Sequence, residues 1–214
     1  IRFLANRLLG MAVVLFLVTW TVMMAAMMLP GVVPFTVGMA RLLRSAGARR
    51  GSLTALTVSY FLIWVVTGIG AYLLVGWFDV LATDPGARAR TGAAVLVVAG
   101  AYQLTPLKRV CLRHCRSPLL LVAKHGQAAL RGRWGAARAG LAHGGYCLGC
   151  CWALMVVLVA AGVMSLVWMA VIAAFVALEK LHRHGELAGR VLGGLVLLAG
   201  LVLLVEPALL PVMS

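Results

Sequence analysis

Several apolar stretches of this chain reach the ~20 residues that a helix needs to cross a bilayer, and most of the charge lies between them. A chain built this way has few options. Backbone polar groups in hydrocarbon must be bonded within the protein, which leaves helices or a closed barrel. No alternation of the barrel type appears. The sequence therefore predicts an all-α polytopic transmembrane helical bundle, one membrane-embedded domain over residues 1–214. The composition agrees, with 11% charged residues where a soluble domain carries about 25%.

Six spans are expected, at about 8–29, 53–78, 91–107, 143–161, 163–178 and 188–205. The first should stop at Pro30-Gly31, where a donor is lost and the backbone loosens. Residues 32–44 then read as a re-entrant or interfacial helix, or as the first span continued beyond a kink. Asp84-Pro85-Gly86 is a turn signal. Residues 108–138 form the longest polar segment, with eight Lys or Arg, and 119–130 inside it reads as an amphipathic interfacial helix.

The net charge of +14 does not indicate nucleic acid, because the basic residues sit in loops and no reader module accompanies them. Cytoplasmic retention and anionic membrane lipid account for that placement. The three odd loops hold 4, 8 and 3 basic residues against 4 in all other connections and termini together. Loops 38–52, 108–140 and 180–190 are accordingly expected on the cytoplasmic side of a bacterial inner membrane, with both ends of the chain outside. An odd number of spans before Ile1 would return the true N-terminus to the inside. No secretory leader is visible, and five Cys in such a chain do not suggest a disulfide scaffold.

On this topology the sulfur-bearing segments fall at one level. His143, Cys147, Cys150 and Cys151 recur at helical spacing, and Met155 continues their stripe. Imidazole, thiolate and thioether suit soft metals, Cu(I) first, and a reactive stripe in lipid faces protein or a cavity. The same residues also read as a dithiol redox motif, or as close helix packing through Gly144, Gly145 and Gly149. Met23, Met24, Met27 and Met28 offer a thioether relay, or are apolar filler. Cys111 and Cys115 share a face if helical, with His114 beside them. Lys108, Arg109, Arg113 and Arg116 would favour their thiolates, or the cysteines are incidental to a basic lipid-facing loop. Glu179-Lys180 reads as a helix-end ion pair or a snorkelling lysine, and Tyr102-Gln103 as an interhelical hydrogen-bond site. His182 and His184 read as solvated, or as a metal entry point. The acids are too scattered for paired-carboxylate catalysis, and no phosphate loop or nucleophile elbow is present, so no enzyme is expected.

Four blocks carry a family resemblance. They are Met23-Met24-Ala25-Ala26-Met27-Met28-Leu29-Pro30; Tyr102 to Lys108 with Cys111, Cys115, Arg116, Ser117 and Pro118; Gly145 to Met155; and Gly162 to Met169 leading to Glu179-Lys180-Leu181. Over 22–181 the chain resembles a bacterial family of predicted metal-binding integral membrane proteins, which includes copper-transfer membrane proteins encoded beside tyrosinases. The resemblance implies copper handling. Members usually begin with one more span, which fits an upstream part beyond Ile1, and often carry Asn where this chain has Ser165. The resulting expectation is an integral membrane Cu(I) protein that delivers copper to a cuproenzyme client or across the membrane. Two alternatives stand beside it: a structural or assembly subunit binding partner subunits of a membrane complex, and a transmembrane thiol–disulfide carrier.

Overall fold

The computed structural model describes residues 2–48, 51–81, 84–162 and 166–206. Among them the chain is all-helical, with α1 Arg2–Ser45, α2 Ser52–Leu81, α3 Pro85–Leu104, α4 Pro106–Arg116, α5 Pro118–Leu130, α6 Arg133–Gly162, α7 Leu166–Leu181 and α8 Gly185–Val205. Four stretches are long and apolar enough to cross a membrane: Gly10–Leu29, Ser52–Phe78, Arg133–Val159 and Gly185–Val205. The pair α3 and α4, bent by 65°, makes a fifth if it is one broken span. The fifth expected span, 163–178, is the short α7. Its 16 residues extend about 24 Å, less than a hydrocarbon core of about 30 Å. Residues 163–165, including Ser165, lie outside the described residues.

The expected stop at Pro30-Gly31 does not occur, and α1 runs through it to Ser45. Pro30 removes one donor, but the buried face continues unbroken. Trp20, Met24, Met28, Phe35, Met39 and Leu43 are buried at helical spacing on both sides of the proline. Packing of that stripe outweighs one lost hydrogen bond, as membrane helices commonly allow. The reading of 32–44 as a continuation of the first span is the one observed.

The chain divides into two compact units, residues 1–73 with 118–145 and residues 74–117 with 146–214. In the first, α5 packs on α1. Leu121 and Ala129 of α5 are buried, so this helix covers protein with one face. In the second, α8 lies along α3, and α7 contacts α4 and α8. The buried residues of α8 are Gly185, Gly189, Gly193 and Gly200, whereas Leu187, Val191, Leu195, Leu198 and Val202 are exposed. Glycine lets backbones approach where larger residues would hold them apart. A Cβ on Gly100 of α3 would lie 2.5 Å from the Leu197 backbone nitrogen. We expect Gly100→Ala to cost about 1–3 kcal/mol through overpacking. Gly92→Ala, where a Cβ meets nothing within 4 Å, should gain about 0.5–1 kcal/mol. Unfolding midpoints of the two variants in detergent check this contrast, and equal midpoints would refute the packing account.

One residue makes the bend that positions the site. Thr105 ends α3 and caps α4. Its hydroxyl donates to the Tyr102 carbonyl at 2.7 Å and accepts from the Lys108 backbone N–H at 3.3 Å. Pro106 then occupies the first turn, where no donor is needed. At α3 the same grammar appears, with Asp84 accepting from Ala87 N–H at 2.8 Å ahead of Pro85.

Candidate metal centre

Cys111 and Cys115 are four apart on α4, one helical turn, so one face of that helix carries both. Facing them, α6 carries Cys147, Cys150 and Cys151. None of the five cysteines is in a disulfide. Cys115, Cys147, Cys150 and Cys151 are buried and Cys111 is half-buried. One sulfur pair joins the two helices, with Cys150 Sγ 3.8 Å from Cys115 Sγ. The thiols of Cys150 and Cys151 both donate to the Cys147 carbonyl, at 3.1 and 2.9 Å. Gly149 gives Cys111 its room, since a Cβ there would sit 2.7 Å from the Cys111 sulfur. Met155 is buried one turn beyond Cys151 on α6.

Aromatic and polar contacts fix this arrangement. Tyr102 donates its hydroxyl to the Gly149 carbonyl at 2.5 Å, and its ring meets Trp152 edge-on with centroids 4.7 Å apart. The interhelical role expected of Tyr102 and Gln103 is thus found. His114 stacks on Tyr146 at 4.3 Å, and its Nδ1 lies 2.8 Å from the Val110 carbonyl.

Two buried lysines complete the site. Lys108 donates to both Glu179 and Gln103, with its side chain 3% exposed and that of Glu179 2%. Lys180, 6% exposed, donates to Cys147 Sγ at 3.2 Å. Of the alternatives drawn for Glu179-Lys180, the snorkelling lysine is not observed, because the Lys180 ammonium is buried and turns inward to a thiol. The Glu179 carboxylate accepts from Lys108. Lys108, expected among the basic residues that favour the Cys111 and Cys115 thiolates, is instead buried with Glu179 and Gln103. Its position in the first turn of α4 was a signal, since a cation there opposes the helix dipole and needs a partner.

In the first unit, Met24 and Met28 are fully buried, and Met23 and Met27 nearly so. His143 is also buried there, its ring stacked 4.3 Å from Phe35 and 5.5 Å from Tyr60, beside an apolar cavity of about 230 Å³. His182 and His184 are exposed, with rings 5.5 Å apart, and Arg116 donates to the carbonyls of His182 and Arg183.

Among the described residues, no three His, Cys, Asp or Glu side chains converge as a preformed metal site. The sulfur pair seen across the two helices is Cys115 with Cys150. Thiolate sulfur suits soft metal ions. A separation of 3.8 Å is less than twice a metal–sulfur bond of about 2.3 Å. One ion can therefore bond both sulfurs without the helices parting.

A family model described as a copper chaperone, PpoB2, matches residues 17–203. No curated protein and no solved structure matches the chain.

Proposed function

The chain belongs to the PpoB2 family of copper chaperones, and on that premise we propose that it holds Cu(I) on buried cysteine sulfur and passes it to a copper protein client. The observation that carries this reading is the Cys115–Cys150 pair, two free buried thiols 3.8 Å apart on different helices. Thiolate sulfur selects Cu(I) over harder ions. In this reading Cys147 and Cys151 complete the thiol group, and half-buried Cys111 is where the ion enters or leaves. Met155 continues the sulfur lining along α6. Met23, Met24, Met27 and Met28, with His143, make a second and weaker set of soft donors in the first unit. Thioethers release Cu(I) without taking up a proton, which suits relay rather than storage.

The protein acts as a carrier, not an enzyme, and the apolar helices seat it in a bilayer, the bacterial inner membrane in our reading. The surplus of basic residues in 38–52, 108–140 and 180–190 supports a cytoplasmic position for those segments, where thiols stay reduced.

Chelator competition tests the proposal. Protein purified anaerobically with its thiols free is expected to retain one Cu(I) per chain against a colorimetric Cu(I) chelator. Retention of none would overturn it. A reversible Cys115–Cys150 disulfide in protein that keeps no Cu(I) would favour the thiol–disulfide carrier.

A further inference from the structure

Tyr102 supports both halves of the Cys115–Cys150 pair. Its hydroxyl donates to the Gly149 carbonyl at 2.5 Å. That oxygen lies in the planar peptide unit that ends at the Cys150 Cα. Holding it therefore holds the backbone that carries the Cys150 sulfur. A helical carbonyl keeps a second lone pair after its ladder bond, so α6 continues unbroken. The carbonyl of Tyr102 itself accepts from the Thr105 backbone N–H at 3.0 Å and from the Thr105 hydroxyl at 2.7 Å. This is the turn from which α4 departs, bent by 65° from α3. The phenol also lies beside the sulfurs, since Cys111, Cys150, Cys151 and the Trp152 side chain all act on it.

The distances leave little slack. Two sulfurs that share one ion can stand at most about 4.6 Å apart, twice a metal–sulfur bond of about 2.3 Å. The pair stands at 3.8 Å. Cys115 lies about 15 Å along α4 from Thr105, at about 1.5 Å per residue, so a tilt of about 4° at the bend displaces it by about 1 Å. Such a shift outward breaks the chelate. His114 stacked on Tyr146 also joins α4 to α6, but stacked rings tolerate a range of offsets, whereas a hydrogen bond weakens steeply away from its best geometry. We propose that Tyr102 is a positioning residue of the thiol site, holding the Cys150 backbone with its hydroxyl and the root of α4 with its carbonyl, so that Cys115 and Cys150 stay within the span of one soft ion. The inference rests on the function proposed above and deepens it, since it names what sets the ligand spacing.

Tyr102→Phe removes the hydroxyl and keeps the ring. Wild type, Tyr102→Phe, Cys115→Ser and the double variant are reduced and titrated with Cu(I) against a colorimetric chelator, each well below its own unfolding midpoint. Tyr102→Phe is expected to lose about 10-fold in Cu(I) affinity, the lower end of what removing a partner that orients a metal ligand costs. On the Cys115→Ser background the same change should do little, since the pair it positions is already gone. Unchanged affinity overturns the inference. Equal losses on both backgrounds also overturn it, because the hydroxyl would then act on the fold at large. A second measurement needs no metal. Wild type and Tyr102→Phe are equilibrated with glutathione buffers, in which one glutathione disulfide leaves as two thiols for each protein disulfide formed. Peptide mapping gives the fraction of Cys115–Cys150 disulfide, and Tyr102→Phe is expected to lower its equilibrium constant by about 10-fold. A constant that the variant leaves unchanged overturns the positioning role whatever the Cu(I) result. Wild type that retains no Cu(I) removes the proposed function, and the disulfide equilibrium then still decides whether Tyr102 holds the pair together.

Discussion

Replacing Cys150 with Ser is expected to lower Cu(I) affinity by at least about 100-fold, and replacing Cys115 as well to lower it little further. Loss of a partner that merely orients a metal ligand already costs about 10–100-fold, and loss of a ligand should cost no less. The non-additivity is the sharper part. If one ion bridges Cys115 and Cys150, whose sulfurs lie 3.8 Å apart, either substitution destroys the chelate, and the second finds little left to remove. Residues that share one function show such coupling, whereas independent sites add. Chelator competition on Cys115→Ser, Cys150→Ser and the double variant provides the three numbers. Additive losses, or a Cys150→Ser protein that binds as wild type does, would reject the bridging pair. Cys150 is buried, and Ser is smaller and similar in shape, so folding should survive and a thermal melt can verify it.

The largest expected loss of stability lies at Lys108. Lys108→Met should destabilise the second unit by about 3–5 kcal/mol, because it strands a buried carboxylate. Glu179 and Gln103 both accept from this ammonium, and all three residues are buried. With side chains 3% and 2% exposed, little water is present to replace the lost partner. Removing the opposite charge as well, in Lys108→Met with Glu179→Leu, should recover most of the loss, since an apolar pair of similar volume commonly does as well as a buried ion pair. Unfolding midpoints in detergent distinguish these outcomes. A single variant no less stable than the double would reject the stranded carboxylate as the cause, and one as stable as wild type would show that the pair is dispensable.

Where the chain crosses apolar surroundings could be read from its sequence, because hydropathy over a long window is a local property. Asp84-Pro85-Gly86, read as a turn ahead of a span at about 91, is instead the N-cap and first turn of α3, because the same residue types serve both signals. The course of α1 through Pro30 was only partly legible. Whether a proline ends a helix depends on what the next turns bury, and Phe35, Met39 and Leu43 declare that only once packed. Among the site residues, Cys147, Cys150 and Cys151 stood out because helical spacing gathers them without help from the rest of the fold. Their meeting with Cys115, and the pairing of Lys108 with Glu179 across 71 residues, depend on a bend at Thr105 that sequence spacing does not encode. Lys180 was misjudged for a related reason. Its place at a helix end invites snorkelling, while the fold turns its ammonium inward to Cys147.

The inward glycines of α8 carry an evolutionary implication. In a water-soluble protein the large apolar residues are held fixed by the core and the surface drifts. Here Leu187, Val191, Leu195, Leu198 and Val202 point away from the protein, so any residue of comparable greasiness will serve in their place. Gly185, Gly189, Gly193 and Gly200 cannot gain even a methyl group without pushing against a neighbouring helix or side chain. A mutational scan of this helix would therefore show the usual pattern turned inside out, with the smallest residues immovable and the bulkiest ones interchangeable.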